Sequence, residues 1–324
     1  MKKILITGAS GYIGARLSRD LAKAGYRVTV FIPSDLLDHQ EWISLMDEVI
    51  IGDIRDERII NRLSEYAFDS AIHLISLDNT NSQKSPNFVS SINILPTWNL
   101  LDTLSNAGLK QFIYFSTIHV YGDLPNKKIF EDQLTNPKSI YGLTHLLSEK
   151  ICNYFNNNTK TKCINVRLSN SYGPPVFNKN NCWSLAINDF CKSAFLNKKI
   201  NLLSDGLPLR DFIYGDDVSK AISCIIENNE INNIIHLASG ETFTILELAE
   251  QVKNIYQIRY NKEIDILINK GNKNSNQSKS NKYDRFEIDT AKLQSTGFKP
   301  SFNLTKGINE TFNYLELNSD QLLK

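Results

Sequence analysis

Lys3-Ile4-Leu5-Ile6-Thr7-Gly8-Ala9-Ser10-Gly11-Tyr12-Ile13-Gly14 is the stretch on which the fold turns. A short apolar run ends on a glycine, and Ile13, Leu17, Leu21 and Ala24 then recur at helical spacing until Gly25. The reading is strand, tight turn, helix. Glycines at 8, 11 and 14 let the backbone turn sharply, approach a pyrophosphate and aim the first amides of a helix at it. Gly8, Ser10, Gly11, Tyr12, Ile13 and Gly14 are therefore candidate contacts for a dinucleotide cofactor.

The next strand, Val28 to Ile32, should end on an acidic side chain that bonds the adenosine ribose. Ile32-Pro33-Ser34 stands there instead, with Asp35 slightly later. Without a carboxylate a 2′-phosphate is not repelled, and Ser34 or Arg16 could meet one. NAD and NADP both remain open at this point.

Outward from the loop the alternation continues. Short apolar runs at 49–51, 71–75, 112–115, 164–168 and 234–237 are separated by helical stretches near 87–106, 139–156 and 216–228. This predicts an α/β fold: a Rossmann-like, doubly wound parallel sheet covered on both faces. Gly173-Pro174-Pro175 breaks the pattern, so residues 1–172 form the expected dinucleotide-binding domain, with later strands from about 211–238 returning to it. Residues 173–210 and 239–324 form a smaller, mainly substrate-binding lobe. Its polar stretch 272–282, rich in Asn, Lys and Ser, reads as a surface loop or lid, because it cannot fill a core.

Composition excludes other classes. Thirty-six Lys and Arg against 35 Asp and Glu leave a net charge of +1, so no overall field points to nucleic acid or an anionic membrane. The apolar run at the start is too short for a signal peptide, and no stretch reaches the roughly 18 apolar residues that span a bilayer. The five cysteines, odd in number and without C-x-x-C spacing, argue against a disulfide framework or a structural zinc and suit a reducing cytoplasm.

With these residues in hand the chain resembles the extended short-chain dehydrogenase/reductases of the nucleotide-sugar epimerase and dehydratase type, along nearly its whole length. Thr7-Gly8 with Gly11 and Gly14 is similar to the cofactor loop. Gly52-Asp53-Ile54-Arg55-Asp56 resembles the segment whose Asp53 and Ile54 would flank the adenine, and His73-Leu74 the motif beside the cofactor. Ser116-Thr117-Ile118-His119-Val120-Tyr121-Gly122 resembles the catalytic strand end, and Arg167 to Pro174 the segment after the next strand. Arg210-Asp211-Phe212-Ile213-Tyr214 is similar to the phosphate-contacting turn, and Asp289-Thr290-Ala291-Lys292 with Gly297 to Pro300 resembles the C-terminal signature.

The resemblance implies that Tyr141 exchanges a proton with a sugar hydroxyl while a hydride moves to or from the nicotinamide, with Thr117 bonded to the same oxygen. It implies a nucleotide-diphosphate sugar held by Asn170, Arg210 and Arg285, and a homodimer through the helices at 87–106 and 139–156. The leading expectation is an epimerase working through a keto-sugar; a 4-keto-sugar reductase and a catalytically weak sugar- and cofactor-binding protein are the alternatives.

Two histidines depart from the family pattern. His145 takes the place of the lysine that stabilises the phenolate and holds the nicotinamide ribose. A cation about 6 Å from a phenolate at an effective dielectric near 20 is worth on the order of 3 kcal/mol, and neutral histidine supplies little of it. Three readings stay open: a partly protonated His145 that still bonds the ribose, a fold that binds without turnover, or a shifted base. His119 stands where dehydratases of this type carry glutamate. Replacement of their Asp-Glu pair by Ile118-His119 counts against 4,6-dehydration, and His119 is either an acid-base group or part of the pocket wall. His73 and His236 read as structural, and Cys182 and Trp183 as packing or sugar-pocket wall.

Overall fold

The computed structural model describes residues 1–34, 39–178, 180, 182–231, 233–268 and 285–322. Asp35 and the polar stretch 272–282 lie outside the described residues.

Seven parallel strands form the main sheet. In spatial order they are Asn233–Leu237, Lys162–Leu168, Gln111–Thr117, Ser70–His73, Lys3–Thr7, Arg27–Ile32 and Glu48–Ile51. The chain winds outward from Lys3–Thr7 in one direction, then returns to its other side with Ser70–His73, where Ile4 faces Ser70 and Thr7 faces His73. The order of strands reverses between those two, and a crevice opens there at their carboxyl ends.

Burial on both faces explains the uninterrupted apolar runs. Ile4 and Ile6 pack on one side with Leu17 and Leu21 of helix Tyr12–Lys23 and Ile222 and Ile225 of helix Gly215–Glu227. Leu5 points to the other side, with Leu100 and Leu104 of helix Leu95–Asn106 and Cys152 and Phe155 of helix Ile140–Asn158. The expected doubly wound α/β fold is observed.

A second core belongs to the smaller lobe, where helices Ala186–Asn197, Ile245–Tyr260 and Leu304–Leu317 pack together. The stretch 211–238 divides differently from the expectation that it rejoins the main sheet. Asn233–Leu237 does so, whereas Leu209–Tyr214 pairs with Asn170–Tyr172 and Thr242–Thr244 in a separate three-stranded sheet. Residues 209–214 thereby carry Arg210 to the boundary between the cores.

The glycine loop has a steric basis. Gly8 has φ of +75°, and a Cβ at Gly14 would stand 2.2 Å from the Gly8 carbonyl oxygen. The helix lies on the loop without a side chain between them. Gly14→Ala should therefore cost about 1–3 kcal/mol of stability, seen as a lower urea midpoint; a wild-type midpoint would contradict the contact.

Candidate active site

The crevice is a cleft of about 440 Å³ lined by Gly8, Ser10, Gly11, Asp53, Ile54 and Leu74, with Ser76 also in its wall. Gly11 caps helix Tyr12–Lys23, whose first amides have no partner within the helix. A Cβ at Gly8 would come within 3.2 Å of the Ile75 nitrogen, so the loop leaves a cradle that only glycine keeps open. These residues fit a dinucleotide.

The other expected cofactor contacts serve the cradle from behind. The Tyr12 hydroxyl donates to the Gly173 carbonyl at 2.9 Å, Ile13 packs against the core, and Gly14 is the close-approach residue. Tyr12 and Ile13 are placed to offer backbone amides, not side chains. His73 is fully buried under the loop, 2.7 Å from the Thr7 hydroxyl, and burial, then His145, lowers its pKa to about 3. Asn180, which the sequence did not single out, donates to the Ser10 carbonyl at 2.9 Å and ties the smaller lobe to the loop.

Arg16 cannot meet a 2′-phosphate. It is buried against Asp216, the Pro174 carbonyl and the ring of Tyr214. Arg55 is the cation in the wall of the cleft, and it is bonded to Asp53, with Nε 2.9 Å from Oδ1.

Thr117 ends its strand and caps the short turn Ile118–Tyr121, accepting from the His119 amide at 3.2 Å. Helix Ile140–Asn158 begins beside this turn, with Ser139 as its cap. A Cβ at Gly142 would lie 2.6 Å from the His119 carbonyl oxygen. That bare contact sets Tyr141 against the strand end. Burial raises the Tyr141 pKa, and the nearby Thr117 hydroxyl offsets part of that rise.

Two histidines flank the Tyr141 ring edge-on, His145 with centroids 4.6 Å apart and His119 at 5.7 Å. Their surroundings differ. His145 is 3% exposed, with Nδ1 2.8 Å from the Tyr114 hydroxyl and Nε2 3.1 Å from Ser76 Oγ. Burial, with a smaller contribution from His119, lowers its pKa to about 3. Burial thus favours the neutral ring, and Tyr114 and Ser76 engage both of its nitrogens. Spacing put Tyr141 and His145 on one helix face, but did not reveal Tyr114 and Ser76. His119 instead opens into a second cavity.

That cavity, about 580 Å³, is lined by His119, Ser139, Lys138, Asn79, Arg210 and Phe286 among others. Tyr141 is thus in ring contact with His119, in the wall of a cavity bearing Lys138 and Arg210, and with His145, which is bonded to Ser76 in the wall of the glycine-loop cleft. Among the described residues Arg210 is bonded only to the neighbouring Leu209 carbonyl at 2.7 Å, while Asp211 accepts from Ser239 and Gly240, and Asp216 pairs with Arg16. Arg210 is therefore not the structural partner of either aspartate. Arg285 lies outside the cavity lining, held by Glu247 at 2.5 Å and the Thr242 carbonyl at 2.7 Å. The Asn170 amide donates to the Asp211 carbonyl at 2.8 Å, in the small sheet. Cys182 is buried and Trp183 packs near Tyr314, so neither lines the cavity.

Below the turn lies a buried polar network that the sequence reading missed. Arg167 bonds Glu149 through Nε at 2.9 Å and Nη2 at 2.7 Å, and donates to the Tyr121 hydroxyl at 2.7 Å. His236 bonds the same hydroxyl at 2.5 Å and the Asp289 carbonyl at 2.9 Å, a structural role as expected. Glu149 lies on the face of Tyr141 and His145, and a buried acid on a helix facing an Arg-bearing strand was the available signal.

Comparison with known proteins agrees with this geometry. Residues 4–238 match the model of the NAD dependent epimerase/dehydratase family. A Methanocaldococcus jannaschii protein, provisionally named a UDP-glucose 4-epimerase, is 26% identical over 98% of this chain and 99% of its own length. A Dictyostelium discoideum dTDP-D-glucose 4,6-dehydratase is 29% identical over 79% of this chain and 62% of its own. The crystal structure of UDP-glucose 4-epimerase from Thermotoga maritima superposes with a TM-score of 0.83 at 23% identity, covering 98% and 99% of the two chains. The chain belongs to the NAD dependent epimerase/dehydratase family.

The two buried neutral histidines make the fold acid-sensitive. Each has a folded pKa near 3 against an ordinary value near 6.5, so the unfolded chain takes up protons first as pH falls. Their contribution is complete above about pH 6.5 and is lost between there and about pH 3. The urea midpoint should drop through this window, and His145→Gln should flatten the drop; an unchanged slope in that variant would contradict a neutral His145.

Proposed function

We propose that this chain is an NAD-dependent nucleotide-sugar epimerase acting through a keto-sugar intermediate. The observation that carries the reading is the packing of Tyr141 between His119, which lines the cavity that holds Arg210, and His145, which is bonded to Ser76 in the wall of the glycine-loop cleft. NAD bound in the cleft supplies a hydride acceptor and donor that is restored at the end of each cycle. Tyr141 exchanges the proton of the sugar hydroxyl, with Thr117 bonded at the same oxygen. Arg210 and Lys138 give the diphosphate local positive charge in a chain with almost none to spare overall. Asn170 positions the strand that carries Arg210, and Arg285 acts through Glu247 at the edge of the smaller lobe.

The absence of an Asp-Glu pair at 118–119 favours epimerisation over 4,6-dehydration, although the Dictyostelium relative carries that name. Incubation of the purified chain with a panel of nucleotide sugars should invert one sugar centre with no net change in nicotinamide absorbance, and Tyr141→Phe should lower the rate by about 10²–10⁴. Stoichiometric oxidation of NADH would instead identify a reductase. No change in any sugar would overturn the enzymatic reading.

The cleft favours NAD over NADP. Its wall cation, Arg55, is already paired with Asp53, and Arg16 is buried with Asp216. Calorimetric titration should give NAD an affinity at least about tenfold higher, a difference near 1.4 kcal/mol; equal affinities would contradict the assignment.

A homodimer in the cytoplasm completes the proposal. Leu95 and Trp98 on one helix and Leu143, Leu147 and Tyr154 on the next are exposed, and the two helices are joined by a Thr97–Ser148 hydrogen bond at 3.3 Å. A second copy would cover this apolar face. The five free thiols, four of them buried, suit a reducing compartment, and no described helix is long and apolar enough to cross a membrane. Trp98→Asp with Leu147→Glu should convert the sedimenting species to a monomer; an unaltered dimer would place the interface elsewhere.

A further inference from the structure

We propose that His119 is the proton-holding partner of Tyr141, taking the phenol proton from the cavity side as the sugar hydroxyl gives up its own. The inference rests on the hydride-transfer reading above. A phenol ionises near pH 10 in water, and burial drives Tyr141 higher, so the tyrosine needs a group that accepts its proton within the site.

Its two ring neighbours are not equivalent. Tyr114 and Ser76 occupy both nitrogens of His145, and the ring is sealed from water. His119 is the reverse case. Its backbone is clamped: the amide donates to Thr117 at 3.2 Å, the carbonyl accepts from Gly122 at 3.2 Å, and Gly142 presses on that carbonyl. Its ring is left open to the cavity, and no hydrogen bond among the described residues engages either ring nitrogen. A fixed main chain with an uncommitted imidazole in edge contact with Tyr141 suits proton transfer through one bridging water.

The charges around the pair fit a transient role. Burial, and then Arg210 across the cavity, hold its pKa below the ordinary histidine value, which favours the neutral ring that can accept a proton. Asp78 raises the Tyr141 pKa, and Lys138 and Asp123 stand 4.0 Å apart on the cavity wall. In the oxidation half-reaction the Tyr141 proton moves to a His119 nitrogen, and the phenolate takes the hydroxyl proton as the carbon releases its hydride. The reduction half-reaction runs the same transfers backwards, so one turnover leaves the protein's protonation unchanged.

Two measurements test this. In the cofactor-loaded protein, the His119 ring resonances should titrate with a midpoint that moves by about half a pH unit or more on Tyr141→Phe; an unmoved midpoint overturns the coupling, and this arm needs no sugar. In single-turnover sugar oxidation, His119→Asn should slow the reaction by about 10²-fold at pH 7 and move its acidic limb upward. His119→Ala should be partly rescued by added imidazole, while NAD affinity and melting temperature stay near wild type. A wild-type rate and pH profile in His119→Asn overturns the proposal. So does solvent deuterium entering the sugar at a carbon next to the keto group only when His119 is present, because His119 then works on carbon. If no sugar reacts with the wild-type protein, the proposed function fails, while the resonance titration still decides the His119–Tyr141 coupling.

Discussion

The bare contact between Gly142 and the His119 carbonyl is the constraint on which the site depends. The 2.6 Å that a Cβ would have there leaves no room for any side chain. Helix Ile140–Asn158 consequently begins directly on the turn Ile118–Tyr121, and Thr117, His119 and Tyr141 converge although they belong to a strand end, a turn and a helix. Neither Thr117 nor Tyr141 needs a long reach, and the entropy of holding them is carried by the backbone. The glycine loop applies the same device on the other side of the crevice, with Gly14 bare against Gly8.

Beneath the contact, the Arg167–Glu149 pair anchors the helix to the sheet. Both side chains are almost completely buried, at 3% and 2% exposure, so the pair stands only because Ser116, Tyr121 and the Glu131 carbonyl satisfy the remaining donors and acceptors. Removing one partner would leave an uncompensated buried charge. The pair is better understood as fixing the register of helix against strand than as adding net stability, since an apolar pair of equal volume would avoid the desolvation. His236 and Asp289 extend the network to the C-terminal part of the chain, linking the last strand of the main sheet to the turn Ile118–Tyr121.

The main sheet was legible because its strands are buried on both faces, which writes each as a short apolar run between turn residues. Strand positions came within a residue or two at nearly every element. Leu209–Tyr214 reads differently: the sequence groups it with 211–238 as returning to the larger domain, but its residues do not say which sheet it joins, and it pairs in the smaller one. At the site, identity was legible and environment was not. Tyr141, Thr117 and Arg210 could be picked from motifs, and His145 could be seen to replace a lysine. That both ring nitrogens of His145 are bonded depends on Tyr114 and Ser76, which lie 31 and 69 residues away. Arg16, one of the residues considered for a 2′-phosphate, is held by Asp216, 200 residues later. Long-range pairing of this kind leaves no periodic trace.

Tyr141, packed between His119 and His145, is the centre of the account, and isotopic labelling reads it most directly. A nucleotide sugar carrying deuterium on the carbon that inverts should yield an epimer with the label retained on that carbon, because the hydride is taken up and returned without leaving the site. Loss of the label to solvent, or its stoichiometric appearance in released nicotinamide, would contradict an epimerase that recycles its own cofactor.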